Sequence, residues 1–281
     1  MAAGRQQTHD PAAARTGLAV FEAAPTGKCS IKTKKTKPAA QQDLPVYTLT
    51  APERTPEEIE AVYSEIQPVI YTPPADRWRR LTRTAHILGG GAEILRVVML
   101  GDSIIGDTSR SEWDIVLQRA YPACRIMKVT VIRGSTGCWW YKDNNRVHTY
   151  VYPHRPDLLI IGGISQNDDF DSIREVICQA RALHPCDVLL MSGAFGAVDP
   201  RQDGQWSFDP GADSYRARLR MLADELDTGF IDMTAYWGRY IRASDRGLDW
   251  FKRDGVHANA RGEQILGRIL AAHLAPPVET A

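Results

Sequence analysis

The sequence predicts an α/β fold: a three-layer α/β/α sandwich on a five-stranded parallel sheet. Three observations carry that expectation. Short runs rich in Val, Ile and Leu recur at residues 95–100, 126–132, 158–162, 187–191 and 230–233. Stretches with apolar residues at helical spacing lie between them, at 111–121, 171–183 and 215–226, and a last one closes the chain at 259–274. The runs are continuous rather than alternating in polarity, which marks strands covered on both faces, as in a parallel sheet with helices on each side.

Composition bounds the rest. At 281 residues the chain is long enough for one substantial core, or a core plus an appendage. Its 43% hydrophobic and 24% charged residues are ordinary globular usage, which excludes wholesale disorder, a collagen-like repeat and a small disulfide scaffold. Lys and Arg number 34 against 34 Asp and Glu. That neutral balance argues against a dedicated nucleic-acid binder, whose affinity rests on neutralising phosphates. The apolar stretches fall far short of the roughly 20 residues that span a bilayer, so no membrane partner is expected. The first 17 residues are polar and Ala-rich, with no apolar core of a signal peptide. Both a cytoplasmic protein and a secreted one with its leader removed fit that reading. Cys29, Cys124, Cys138, Cys178 and Cys186 are odd in number and lack CxxC spacing, so neither a zinc site nor a disulfide framework is expected, with room for one bridge. Oligomeric state is not readable from the sequence.

Taken in order, residues 1–44 read as a flexible arm or the remnant of a preceding module. Its basic run of Lys32, Lys34, Lys35 and Lys37 reads as a solvated linker, and the apolar piece at 17–21 as a possible strand. Residues 45–94 read as a helical extension packed on the following domain. Thr55, Pro56 and Glu58 spell a helix start with a capping box, and Ile59, Val62, Tyr63 and Ile66 follow at helical spacing. A second amphipathic stretch at 76–88 ends at Gly89, Gly90 and Gly91. Residues 95–281, which carry the alternating strands and helices, form the predicted main domain.

In a doubly wound sheet, ligands bind beyond the C-terminal strand ends, and chemistry-bearing residues collect there. The first run ends in Gly101-Asp102-Ser103, the second in Gly134 to Gly137, the third in Gly162 to Asp168, and the last helix is preceded by Asp254-Gly255-Val256-His257. A serine, two loops of hydrogen-bond donors and an Asp-x-x-His pair are the inventory of an acyl-transfer site.

These four blocks, in this order, resemble the SGNH (GDSL-type) serine hydrolase superfamily, in particular its carbohydrate acetylesterase-like members. The resemblance covers about residues 95–275 and implies the flavodoxin-like arrangement of that family. It implies Ser103 as nucleophile, His257 as general base and then acid, and Asp254 as the partner that fixes the imidazole. It also implies an oxyanion hole from the backbone N–H of Ser103, a glycine after the second strand, and an Asn amide after the third. Gly137 fits the second role best, with Gly134 as fallback. The third block departs from the family spacing by two residues, so Asn167 and its neighbour Gln166 compete for the last role. Asp102 is expected to order the nucleophile turn and to border the substrate. Trp139 and Trp140 are candidates for a sugar platform, with core packing as the other reading, and Trp206 and Trp250 for its rim. His148 and His154 are the alternative histidines. The implied activity is a serine esterase acting on short acyl groups, acetyl on carbohydrate first among them, with no cofactor and no metal. Thioesterases or lysophospholipases of longer acyl chains, and a non-catalytic carbohydrate binder, are the alternatives.

Overall fold

The computed structural model describes residues 44–276, apart from 195 and 197. The expectations for the N-terminal arm, including its lysine run and the strand at 17–21, lie outside the described residues.

Six strands form one sheet: β1 Val46–Leu49, β2 Ile94–Gly101, β3 Arg125–Arg133, β4 Leu158–Ile161, β5 Asp187–Met191 and β6 Gly229–Ile231. Their order is β1-β3-β2-β4-β5-β6. β2 to β6 are the five predicted strands, all parallel. The sixth corrects the expected count: β1 pairs antiparallel with β3, with Val46 opposite Arg133 and Leu49 opposite Thr130. The segment at 45–94 is therefore not wholly helical. Only four residues long and none fully buried, β1 leaves no continuous apolar run to read.

Ten helices accompany the sheet among the described residues: α1 Pro56–Ser64, α2 Thr82–His86, α3 Ser103–Arg110, α4 Trp113–Gln118, α5 Cys138–Tyr141, α6 Arg146–Tyr150, α7 Phe170–Leu183, α8 Tyr215–Glu225, α9 Met233–Ala243 and α10 Ala260–Leu274. α1 starts as its sequence dictates: Thr55 Oγ1 accepts the Glu58 N–H, and Glu58 accepts the Thr55 N–H at 2.8 Å. The stretch expected as one helix at 76–88 is broken into a 3₁₀ turn at Arg77–Arg80, α2, and a wide turn at Ile87–Gly91. The helix expected over 111–121 shrinks to α4, because Glu112 takes a left-handed φ of 54°. Its buried carboxylate is held there by Lys128 Nζ at 2.6 Å and the Glu53 N–H at 2.7 Å. α9 was not expected from the sequence, although Asp232 caps it and Met233, Trp237 and Ile241 recur along one buried face.

Period-two alternation along β2 splits the core in two. Leu95, Val97 and Met99 pack with Trp113, Trp237, Ile269 and Leu270 from α4, α9 and α10. Val98 and Leu100 pack on the other face with Cys138, Val147, Ile177 and Leu222 from α5 to α8. Numbering only the parallel strands, the order is 2-1-3-4-5, so the winding direction reverses between β2 and β4. A crevice opens at such a reversal because the connections leave on opposite faces. Cys178 is disulfide-bonded, whereas Cys124, Cys138 and Cys186 are free thiols.

Candidate active site

The reversal point brings two of the predicted blocks together. β2 delivers Ser103 as the first residue of α3, where a backbone N–H has no intrahelical acceptor. Asp102 caps the helix by accepting the Ile104 N–H at 2.9 Å through Oδ1. Its Oδ2 accepts the N–H groups of Ile164 and Ser165, both at 2.8 Å, from the loop after β4. One carboxylate, 1% exposed, thus satisfies three backbone donors and ties the nucleophile turn to its neighbour. Gly163 bends that loop with φ +101°, and any side chain there would strike the Asp102 carboxylate. The expectation that Asp102 orders the turn matches this geometry. Its expected contact with substrate does not, because the carboxylate is buried and fully engaged.

The loop after β3 closes against the same framework. At Gly137, the cap of α5, an added Cβ would stand 2.5 Å from the Ser165 carbonyl oxygen and 2.8 Å from Gln166 Oε1. Around Gly134 the space is open. Only Gly137 abuts the third loop. Gln166 is buried; its Oε1 accepts the Cys138 N–H and its Nε2 donates to the Gly162 carbonyl, both at 2.9 Å. Gln166 therefore joins the second and third loops through both ends of its amide. Asn167 lies exposed in a turn with φ +55°, followed by Asp168 at φ +53°. The buried Tyr141 adds a further tie through its hydroxyl to the Gly101 carbonyl, at 2.9 Å.

The second half of the site comes from a loop before α10. Lys252 and Ala258 form an antiparallel bridge, and the Asn259 N–H donates to the Phe251 carbonyl at 3.0 Å, so the intervening residues make a short hairpin. Asp254 stands at its tip, where Oδ1 accepts the N–H groups of Val256 and His257, each at 2.7 Å. His257 Nδ1 lies 2.8 Å from Asp254 Oδ2, and His257 Nε2 lies 2.8 Å from Ser103 Oγ. A proton on Nδ1 satisfies both contacts, with Nδ1–H donating to Asp254 and Nε2 accepting from Ser103. The backbone donors from His257 and Val256, then the imidazole, hold the Asp254 carboxyl well below the usual carboxylate range. Lys252, which sequence reasoning missed, donates to the Gly255 carbonyl at 2.6 Å and to the Gly196 carbonyl in the loop after β5.

Around this centre, the predicted aromatics divide. Trp139 is half-buried and donates from Nε1 to the Ser165 carbonyl at 2.9 Å, which places it beside the third loop. Trp140 is packing: Arg146 and Arg133 guanidinium carbons lie 3.7 and 4.4 Å from its ring centroid, and Tyr150 stacks on it. Trp206 packs against Gly238 of α9, and the Trp250 ring is covered by Arg261 at 3.8 Å. His148 stacks on Tyr152 in and after α6, and His154 lies in the next turn. Among the described residues no group of three His, Cys, Asp or Glu side chains could hold a metal ion, and no helix is long and apolar enough to cross a membrane.

No protein-family model matches this chain, and no curated protein sequence matches it. Solved structures do. An acetyl xylan esterase from Geobacillus stearothermophilus, Axe2, superposes with a TM-score of 0.52 at 19% identity, covering 65% of this chain and 94% of that one. A further Axe2 structure, of a protein described as an acetyl-xylooligosaccharide esterase, gives 0.53 at 18%, covering 67% and 97%. A two-domain esterase active on acetylated mannans gives 0.54 at 16% identity, covering 70% of this chain and 53% of that one. Three of the matching Axe2 structures are described as catalytic mutants, altered at a serine, a histidine and an aspartate. At these identities the likeness is one of fold: the chain shares the α/β architecture of these esterases.

Proposed function

We propose that the protein is a serine esterase of the SGNH type that removes short acyl groups, acetyl first among them, from a hydroxylated carbohydrate. The observation that carries this reading is the contact line from Ser103 through His257 to Asp254, 2.8 Å at each step, at the crevice where the sheet reverses. The catalytic domain in this reading is residues 95–281, with 45–94 as an extension packed on it.

Ser103 Oγ attacks the ester carbonyl carbon while its proton passes to His257 Nε2. Asp254 holds the imidazole in the required tautomer and stabilises the imidazolium that forms. The tetrahedral oxyanion is met by the N–H groups of Ser103 and Gly137, with Asn167 as a further donor. Each such donor is worth about 2.7–4 kcal/mol of barrier. The bond to the alcohol oxygen then breaks, the proton on Nε2 goes to that oxygen, and an acyl-serine remains. Water repeats the sequence: its proton goes to Nε2, its oxygen to the acyl carbon, and Ser103 recovers its proton as the acid leaves.

Support for a sugar ester comes from the fold shared with esterases described as acting on acetylated xylo-oligosaccharides and mannans, and from Trp139 beside the third loop. Hydrolysis of p-nitrophenyl esters from acetate to decanoate, by wild type and Ser103→Ala, tests the reading. Turnover that falls steeply beyond short chains and vanishes in the variant is expected, followed by release of acetate from acetylated oligosaccharides. A rate that peaks at long chains would move the substrate to lipids or thioesters. Turnover that survives in Ser103→Ala would end the assignment of the nucleophile.

A further inference from the structure

Asp107 was not singled out by the sequence, yet it is 1% exposed and lies one helical turn after Ser103. Residues four apart share a helix face, and a helical side chain leans back toward the N-terminus, so Asp107 projects toward the turn that carries the serine. Its partners lie on the His257 hairpin. Oδ2 accepts the N–H of Ala258 at 2.9 Å, the residue directly after His257. Oδ1 accepts from Arg253 Nη2 at 2.8 Å, the residue directly before Asp254. The two oxygens of one carboxylate therefore grip the two stems of the hairpin, immediately outside the Asp254–His257 pair. Arg253 closes the ring by donating to the Ala258 carbonyl across the stems.

This arrangement is expensive for packing alone. A carboxylate removed from water is costly unless its acceptors are filled, and burial pushes the Asp107 carboxyl pKa up despite Arg253 and the Ala258 N–H. Arg110 at 3.7 Å is the next cation, and the buried Glu263, which Arg253 also approaches at 3.4 Å, adds a second carboxylate to the cluster. An apolar side chain would fill the same space without that cost, but it would leave the hairpin stems unfixed relative to α3.

We infer that Asp107 is a positioning residue that sets the distance between His257 and Ser103 by clamping both stems of the His257 hairpin to the helix that bears the nucleophile. The inference rests on the serine-esterase reading, and its test separates the two. Wild type, Asp107→Asn, Asp107→Ala and Ser103→Ala are treated with an alkyl phosphonate that releases p-nitrophenol on reaction. The amplitude of release counts competent sites, and the rate constant reports how well His257 activates Ser103 in those sites. A displacement of about 1 Å at a catalytic group costs on the order of 10²-fold in rate. Asp107→Ala is expected to lower the per-site rate constant, and kcat on p-nitrophenyl acetate with KM unchanged, by about that factor. Asp107→Asn, which keeps one acceptor oxygen, is expected to lose less. A purely structural role would lower the amplitude and leave the surviving sites at wild-type rate, and that result would overturn the clamp. If wild type itself is not labelled, or labels equally in Ser103→Ala, the esterase reading fails and the clamp with it.

Discussion

The two halves of the site are each fixed by a buried carboxylate, Asp102 or Asp107, but they differ in where the groups that face the crevice sit. On the serine side, buried polar side chains inside the framework do the holding: Asp102 accepts three backbone N–H groups, Gln166 bridges two loops, and the Tyr141 hydroxyl donates to the Gly101 carbonyl at the end of β2. On the histidine side the working groups face solvent, with His257 27% and Asp254 50% exposed, and the fixing contacts sit at the hairpin stems. Under the proposed esterase reaction, the difference follows from what each half must do. The serine turn must hold an oxyanion in fixed geometry, which rewards preorganised donors that cannot relax. The imidazole must receive and release a proton, which favours a group that is oriented yet still solvated on one edge. Rigidity belongs to the first half and registration to the second.

Four substitutions sharpen that contrast, in decreasing order of expected effect. Ser103→Ala removes the nucleophile and should lower kcat on p-nitrophenyl acetate by about 10⁶-fold, as loss of the serine does in triad enzymes. Asp254→Asn keeps an acceptor for the hairpin N–H groups but supports the wrong imidazole tautomer. A loss of about 10⁴-fold in kcat is expected, with little change in the urea midpoint because the Asn side-chain oxygen can still accept the hairpin N–H groups. Chemical denaturation alongside kinetics separates these two quantities. Asp102→Ala should show the reverse balance: it strands three N–H groups, at about 1–3 kcal/mol for each donor left buried, so a lowered urea midpoint accompanies the loss of activity. Gln166→Leu leaves the Cys138 N–H and the Gly162 carbonyl without this partner and should cost about 1–3 kcal/mol for each of the two groups, with a smaller activity loss than Asp254→Asn. Should Asp254→Asn destabilise the protein more than Asp102→Ala, the division of labour drawn here would be reversed.

Much of this was legible in the sequence because it is written in local patterns. β4 and β5 are runs rich in Val, Ile and Leu buried on both faces, and Asp187–Met191 begins and ends where its run does. The capping box at Thr55 and Glu58 is a matter of three residues. Strand ends place Ser103 and the Asp254–His257 spacing on one edge, and the SGNH resemblance implies their roles. What stayed hidden depends on partners far along the chain. β1 is a strand only because β3 offers an edge. Glu112 breaks a helical pattern because Lys128 and Glu53 reach its carboxylate. The tie that Gln166 makes between the Cys138 N–H and the Gly162 carbonyl joins groups 28 and 4 residues away. Asp107 reads as an ordinary helical carboxylate, and its meaning lies in contacts with Arg253 and Ala258, some 150 residues away.

In the proposed reaction Ser103 becomes covalently acylated. The most direct test of that step is to mix the protein with p-nitrophenyl acetate, quench in acid within the first turnovers, and map the modified peptide by mass spectrometry. One acetyl group on the peptide bearing Ser103 is predicted, absent from Ser103→Ala and accumulating more slowly in Asp254→Asn. An acetyl group on another residue, or the same acetylated peptide from Ser103→Ala, would contradict the account.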